Sequence, residues 1–222
     1  MTDYAAAREN MIESQVRPNG ITDHRIIEAM AGLPREDFVP QSRKSVAYMD
    51  EDVPLTGAGP GKGARYLIEA MAFARLVHLA EIRPSDRILH VGAATGYGSA
   101  VLSKLGAAVT ALESDAGLAA LARRNLAGCG NVTVAEGPLE EGRRAGAPFD
   151  VILVEGRIAE IPAALTGQLA DGGRLVAVVG ESAVAKAQVV TMSGKAAALR
   201  SAFDATVAPL PGFSKKRPVF VF

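Results

Sequence analysis

The sequence predicts an α/β protein in which a mostly parallel β-sheet, covered by helices on both faces, follows a helical N-terminal extension. From residue 64 onward, apolar stretches of strand length alternate with amphipathic stretches of helical length, which is the pattern of a parallel sheet with helical crossovers. Before that point, the chain carries only short helical patterns broken by turn signals. We therefore expect a helical and loop extension over residues 1–62 and the α/β domain over residues 63–222.

The extension is predicted to hold two short helices and a glycine-rich loop. The first helix covers residues 5–16, and the second, capped by Thr22 or Asp23, ends before Gly32-Leu33-Pro34. An irregular stretch over residues 38–55 follows. Residues 56–63 contain four glycines and a proline, a composition that disfavours both helix and strand, so we predict a loop there.

The domain is predicted to contain strands and helices in alternation. Strand-length apolar stretches predict the strands, and apolar residues at three- and four-residue spacing predict the helices. The predicted strands cover residues 87–91, 108–112, 132–134, 149–154 and 173–179. The first predicted helix has its apolar face at residues 68–79 and ends near residues 82–84, and the others cover residues 97–105, 118–126 and 161–169. Two further β-like stretches cover residues 187–192 and 219–222.

The composition argues against several function classes. Among 222 residues, 24 Lys and Arg balance 24 Asp and Glu, so no overall charge attracts nucleic acid or an anionic membrane. No apolar run reaches the roughly 18 residues of a membrane span, and the N-terminus lacks the features of a signal peptide. The single Cys129 is interpreted as a plain thiol, and three distant histidines predict no metal site. We expect a cytoplasmic protein whose oligomeric state stays open.

A small-residue turn joins the first strand of the domain to its helix. Gly92 permits a tight turn, Ala94 leaves the backbone approachable, and Gly96 lets the helix pack close to the strand. Such a turn places part of a ligand against amides at a helix start. Glu113 ends the next strand, 17 residues after Gly96, where a carboxylate accepts hydrogen bonds from both ribose hydroxyls of an adenosine ligand. Glycines that only turn the chain, and a solvated Glu113, are the alternative interpretations.

The spacing of the turn favours one class of adenosine ligand. Gly92-x-Ala94-x-Gly96 differs from the G-x-G-x-x-G of dinucleotide-binding folds, although Gly98 blurs the difference. The turn is similar to the first motif of Rossmann-like methyltransferases, which bind S-adenosylmethionine, a ligand without a pyrophosphate. We therefore predict a Rossmann-like methyltransferase fold, with an NAD-dependent oxidoreductase as the less favoured alternative.

Four stretches, in order along the chain, resemble the protein-L-isoaspartate O-methyltransferases. They are residues 20–40, which end in Pro34-Arg35-Glu36-Asp37-Phe38-Val39-Pro40; Ala47-Tyr48-Met49-Asp50 with Pro54-Leu55; the turn over residues 92–97; and Ala147-Pro148-Phe149-Asp150 with Ile161-Pro162, Gln168-Leu169 and residues 172–176. The resemblance implies S-adenosylmethionine as the cofactor. It implies as substrate a carboxylate of a damaged aspartyl residue in a polypeptide, or another carboxylate-bearing acceptor.

The resemblance also implies which residues bind the cofactor. The ribose is expected on Glu113 and the adenine near Glu136, Gly137, Pro138 and Leu139. The other cofactor-binding residues are expected at the turn: His90, Gly92, Ala93, Ala94, Thr95, Gly96 and Tyr97.

Three departures from the family pattern fall in these segments. Gly63 or a neighbour stands where the family has a serine that touches the substrate carboxyl, and residues 59–66 contain no Ser or Thr. His90 stands where an Asp or Glu usually helps to hold the cofactor's amino end. The segment 136–138, Glu-Gly-Pro, replaces the family's G-D-G and lacks the aspartate expected near the adenine. The resemblance therefore implies a diverged site.

The catalytic candidates lie beside the glycine-rich loop. Lys62 and Arg65 are candidates to hold an anionic substrate group, and Tyr66 to line the site. Solvated basic side chains and core packing of Tyr66 and Tyr97 are the alternatives, as is a hydrogen-bonded core role for His90. Methyl transfer to an ionised carboxylate depends mainly on positioning and desolvation, so activity without the serine is possible. A homologue that binds an adenosyl ligand or a protein partner without turnover is the second hypothesis.

Overall fold

Short helical segments build the first part of the chain. The computed structural model describes residues 3–56, 63–194 and 196–213. Its first elements are α1 (Tyr4–Met11), α2 (His24–Ala31) and an antiparallel ribbon of β1 (Val53–Pro54) and β2 (Tyr66–Leu67). A π-helical turn over Ile12–Val16 continues α1, so the helix predicted over residues 5–16 is present with a changed hydrogen-bond pattern at its end. Asp23 caps α2 as predicted, because its carboxylate accepts the Arg25 N–H at 2.9 Å.

The sheet and its covering helices follow in alternation. They are α3 (Ala70–Leu79), β3 (Arg87–Val91), α4 (Tyr97–Ser103), β4 (Ala108–Glu113), α5 (Ala116–Asn125), β5 (Val132–Glu136), β6 (Phe149–Ile158), α6 (Ala163–Thr166), β7 (Leu169–Val179), β8 (Ala185–Ser193) and β9 (Ala196–Ala205). The spatial order is β5-β4-β3-β6-β7-β8-β9, in which β3 to β7 are parallel and β8 and β9 antiparallel. The predicted Rossmann-like fold with a mostly parallel sheet is confirmed.

The strand order reverses beside β3, and this reversal positions the candidate site. From β3 the chain proceeds outward through β4 to β5 and then returns to the other side of β3 as β6. Ligands of open α/β sheets bind at the carboxyl ends of the strands where the order reverses. Val91, the last residue of β3, is paired with Leu112 of β4 and Val154 of β6, so all three strands reach one level at this edge.

Two apolar layers cover the opposite faces of the sheet. Alternate residues of β3 divide between them, since Ile88 belongs to one layer and Leu89 to the other. The first layer is continuous from Met11 in α1 to Val178 in β7, so the extension shares a core with the sheet. The predicted division at residues 62 and 63 stays a prediction. None of the helices in the described ranges is long and apolar enough to cross a membrane.

The prediction is wrong on the C-terminal side of the sheet. α6 covers only residues 163–166 of the helix predicted over 161–169, because Leu169 pairs with Phe149 and starts β7. β9 is absent from the predicted elements, since its alanine-rich sequence shows little apolar alternation and the strand forms by pairing along β8. The β-like stretch over residues 219–222 lies outside the described residues.

Candidate active site

The turn after β3 has the backbone that its small residues predict. Gly92 and Gly96 have φ angles of +86° and +99°, and Ala94 has +50°, so all three occupy the left-handed region. The N–H groups of Gly92 and Ala93 both donate to Leu112 O at 3.0 Å, which fastens the turn to the end of β4. The turn is therefore fixed both by its own dihedrals and by the neighbouring strand.

Glu113 lies beside this turn and is fully buried. Its Oε2 accepts the Ala94 N–H at 2.7 Å, and its Oε1 accepts the N–H groups of Ser114 and Asp115 at 2.8 and 2.9 Å. A solvated Glu113 is thereby excluded. Three backbone amides hold the carboxylate at the end of β4. In a Rossmann-like sheet, an acid at the end of the strand after the glycine turn accepts the ribose of an adenosine ligand.

Arg65, the residue before β2, forms a buried ion pair with Glu113. Its Nη1 contacts Glu113 Oε1, and the two side chains are 3 % and 0 % exposed. The backbone of Arg65 is held by the ribbon, since its carbonyl accepts the Leu55 N–H at 2.8 Å and its N–H donates to Thr56 Oγ1 at 3.0 Å. Arg65 is therefore not a solvated loop residue. Its guanidinium contacts Glu113, the residue predicted to accept the ribose.

Arg65 occupies part of the acceptor that an adenosyl ligand is predicted to use. A carboxylate offers about four lone-pair directions, and Glu113 already receives three amides and one guanidinium. The amides are part of the strand end and the turn, whereas Arg65 belongs to a separate ribbon. A ribose hydroxyl would therefore bind Glu113 only by displacing Arg65, and this exchange would oppose ligand binding.

His90 is buried and hydrogen-bonded, as expected for a core histidine, which was the alternative to a cofactor-binding role. Its Nδ1 lies 2.8 Å from Ser99 Oγ, and its Nε2 lies 2.8 Å from Glu155 Oε2. The second contact lacks hydrogen-bond alignment, so His90 Nε2 and Glu155 Oε2 have no hydrogen-bond partner among the residues that the structure describes. Sequence analysis missed Glu155. Its signal was available, because Glu155 follows the predicted strand 149–154 as Glu113 follows the predicted strand 108–112.

The N-terminal extension covers the turn. Thr95 Oγ1 donates to Phe38 O at 2.6 Å, and the Tyr97 ring meets Phe38 edge-on with ring centroids 5.5 Å apart. The Arg35 guanidinium lies 4.9 Å from the centroid of the same ring. Burial raises the pKa of the Tyr97 hydroxyl. These contacts give Tyr97 the packing role that was the alternative to a ligand contact.

One cavity adjoins the predicted adenine neighbours, and another adjoins the turn. One, of about 550 Å³, is lined by residues at the end of β5, among them the predicted adenine neighbours Glu136, Gly137 and Pro138. The fourth neighbour, Leu139, is buried. The other cavity, of about 380 Å³, is lined by Phe38, Thr95 and residues of α5. Cavity space therefore adjoins the residues that follow β5, where the adenine is predicted.

The remaining candidates are dispersed around the glycine-rich loop. Lys62 lies outside the described residues, as do residues 57–61 of the predicted loop. Gly63 is exposed with a φ of +88°. Tyr66 is half-buried and pairs with Pro54 in the ribbon. Of the three catalytic candidates, the structure therefore brings Arg65 to the predicted cofactor residues.

An acidic group lies at the other end of the ribbon. The Glu69 N–H, at the start of α3, donates to Asp52 Oδ1 at 2.9 Å. Partial burial, with the charges of Asp50 and Asp52, raises the pKa of Glu69 to about 7. Burial also raises the pKa of Asp52. The ribbon therefore connects a buried arginine at one end with destabilised carboxylates at the other.

Comparisons with known proteins agree on one family. The family model described as protein-L-isoaspartate(D-aspartate) O-methyltransferase matches residues 6–209. A protein of Koribacter versatilis (strain Ellin345), named protein-L-isoaspartate O-methyltransferase, is 42 % identical over 182 residues, which cover 81 % of this chain and 79 % of the relative. One of the same name from Methanoculleus marisnigri is 41 % identical over 175 residues, or 78 % of this chain and 77 % of the relative.

Solved structures agree in fold. One named protein-L-isoaspartate O-methyltransferase superposes with a TM-score of 0.81 at 23 % identity, covering 93 % of this chain and 67 % of its own. Another, a Plasmodium falciparum protein described as a putative protein-L-isoaspartate O-methyltransferase in complex with S-adenosyl-L-homocysteine, superposes with a TM-score of 0.75 at 17 % identity, covering 96 % and 100 %. These likenesses concern the fold, because the identities are low.

Proposed function

Since the chain belongs to the protein-L-isoaspartate(D-aspartate) O-methyltransferase family, whose members use S-adenosylmethionine, we propose that it methylates a carboxylate of isoaspartyl residues in polypeptides. It is an S-adenosylmethionine-dependent methyltransferase. Membership of this family argues against the alternative of an NAD-dependent oxidoreductase. The balanced charge and single cysteine support a cytoplasmic setting for this proposed repair reaction.

The observation that carries the proposal is the buried Glu113 beside the left-handed turn at the switch point of the sheet. When bound, S-adenosylmethionine supplies a methyl group on an electrophilic sulfonium. Glu113 would hold the ribose hydroxyls, and the cavity lined by Glu136, Gly137 and Pro138 would receive the adenine. The fixed turn over residues 92–96 would hold the portion between the ribose and the amino acid end.

A carboxylate acceptor suits the residues that are present. It is ionised at neutral pH and attacks the methyl carbon without giving up a proton, so the reaction requires orientation and exclusion of water. The extension would help to exclude water, since Phe38 packs on Thr95 and Tyr97 of the turn. The family serine has no counterpart in residues 59–66, and the hydroxyl of Thr56 already accepts the Arg65 N–H. Orientation of the acceptor would therefore depend on other groups, of which Arg65 is a candidate once a ligand has displaced it from its ion pair with Glu113.

The Arg65–Glu113 ion pair favours a second candidate, a homologue that binds an adenosyl ligand weakly or conditionally and does not turn over. An arginine on the ribose acceptor opposes cofactor binding in the same place where activity requires it. The two candidates differ in turnover and not in fold.

Two measurements separate these candidates. Calorimetric titration with S-adenosylhomocysteine reports the adenosyl site, and transfer of labelled methyl to an isoaspartyl peptide reports the reaction. The matched control is the same peptide with a normal aspartyl residue. Binding together with labelling of only the isoaspartyl peptide is the expected result. Binding without labelling of either peptide would support the second candidate, and absence of binding would contradict both.

A further inference from the structure

Glu155 is a buried carboxylate to which the proposed function gives no role. Leu112 and Val154 are both paired with Val91, so Glu113 and Glu155, the next residues of β4 and β6, lie level with Gly92 on either side of it. Leu112 and Val154 belong to the same apolar layer, and alternation along the strands therefore directs both carboxylates to the opposite face. Two acids thus flank the first residue of the turn.

The environment of Glu155 leaves its acceptor capacity partly unused. Its side chain is 2 % exposed, and His90 Nε2 lies 2.8 Å from its Oε2 without hydrogen-bond alignment. The other ring nitrogen of His90 is engaged with Ser99. Burying a carboxylate is costly unless it is both paired and hydrogen-bonded. Within the described ranges, Oε2 of Glu155 has only this poorly aligned contact, so it can accept a hydrogen bond from a further donor.

The start of α4 is built around this carboxylate. A Cβ at Gly98 would overlap Glu155 Oε2 and would lie 2.7 Å from His90 Cε1. Glycine inside a helix is unfavourable relative to alanine, because it loses more backbone entropy on folding. Gly98 thus makes room for Glu155 directly beneath the turn, which is a second observation independent of the orphaned oxygen.

We propose that Glu155 binds the ammonium group of S-adenosylmethionine and anchors the amino acid end of the cofactor. This inference rests on the proposed function, since it needs an adenosyl ligand across the turn. With the ribose on Glu113, at the end of β4, the rest of the ligand passes over β3 towards β6. Glu113 and Glu155 are separated by two strand spacings, roughly 10 Å, which the thioether and amino acid chain can cross.

The chemistry of the ligand matches the charge of the residue. An ammonium donates the aligned hydrogen bond that His90 does not supply, and it is cationic, so the bond is charge-assisted. The acid also favours the neighbouring sulfonium over neutral adenosyl compounds. Glu155 therefore acts as a specificity-determining residue for ligands that carry an amino group.

Binding of two ligands to three proteins tests the proposal. The ligands are S-adenosylhomocysteine and its deaminated analogue, in which a hydrogen replaces the amino group. The proteins are wild type, Glu155→Gln and Asp86→Asn. Asp86 is the matched control, because it is also a buried, ion-paired acid, 2.6 Å from Arg174, but precedes β3 at the opposite edge of the sheet.

Wild type is expected to prefer S-adenosylhomocysteine over the analogue by about tenfold or more, as one charge-assisted hydrogen bond provides. Glu155→Gln is expected to abolish this preference while binding the analogue as wild type does, and Asp86→Asn to keep it. Equal weakening of both ligands by Glu155→Gln, or an unchanged preference, would overturn the proposal.

Gly98→Ala provides a second route if Glu155→Gln fails to fold. Its added methyl group displaces the carboxylate without removing its charge, so the preference for the amino ligand is expected to fall; a retained preference counts against the proposal. A wild-type protein that prefers neither ligand refutes the role of Glu155 but leaves the adenosyl site intact. Binding of neither ligand to wild type refutes the proposed function itself.

Discussion

Replacing Arg65 by Met is expected to weaken the fold while tightening cofactor binding. The variant removes the guanidinium from the buried ion pair with Glu113 and leaves a carboxylate held by three amides. Breaking one side of a buried pair costs about 3–5 kcal/mol, and the remaining amides favour the lower end of that range. For a chain of this length, about 3 kcal/mol corresponds to a fall in Tm of about 6–12 °C.

The gain in affinity has the same physical origin. In wild type, the ribose must replace a hydrogen bond between two charged groups, worth about 1.5–3 kcal/mol. In Arg65→Met this competition is absent, so S-adenosylhomocysteine is expected to bind about 10- to 100-fold more tightly. Calorimetric titration measures the affinity, and thermal unfolding measures the stability of the same samples.

Arg174→Met is the matched control for this prediction. Arg174 pairs with the buried Asp86 at 2.6 Å, at the edge of the sheet opposite the turn. Its loss is expected to lower the Tm in a similar way and to leave the affinity for S-adenosylhomocysteine unchanged. If Arg65→Met binds the ligand as wild type does, or more weakly, then Arg65 does not compete with the ribose and the prediction is wrong.

Three further predictions concern the acid, the turn and the ribbon. Adding Glu113→Ala to the Arg65→Met background is expected to lower the affinity for S-adenosylhomocysteine by about 1–3 kcal/mol, and an unchanged affinity in calorimetry would remove Glu113 from the site. Gly96→Ala is expected to destabilise the protein by about 1–3 kcal/mol in chemical unfolding, because its Cβ would lie 2.9 Å from the Leu126 side chain at a φ of +99°; a neutral effect would contradict the turn geometry. Glu69 has its pKa raised from 4.5 to about 7, so the folded state favours the neutral acid and stability falls as pH rises through this window. Glu69→Gln is expected to lack this fall and to exceed wild type above pH 7 by about 1 kcal/mol or less, after allowance for solvent screening, whereas equal slopes between pH 5 and 8 would disprove the assignment.

The backbone of the candidate site was predictable because local chemistry determines it. Gly92 and Gly96 are needed where φ is positive, and Glu113 follows the strand next to the turn, so both features can be read from spacing. The alternation of strands and helices likewise predicts the parallel sheet. These are short-range signals, and the tertiary structure reinforces them.

The partners of the acids were not predictable in the same way. Arg65 reaches Glu113 from 48 positions earlier, through a ribbon of two-residue strands that leaves almost no periodic signal. Glu155 carried a readable signal, an acid after a predicted strand, but its contact with His90 and the space left by Gly98 depend on packing between β3, β6 and α4. The length of α6 was missed for a related reason, since pairing of Leu169 with Phe149 overrides the local helical pattern.

A crystal structure of the protein with S-adenosylhomocysteine would show whether Glu113 is the ribose acceptor. We predict the ribose hydroxyls within hydrogen-bond distance of Glu113, with the Arg65 guanidinium moved off the carboxylate. A complex in which Arg65 keeps its contact with Glu113 and the ligand lies elsewhere would contradict this prediction.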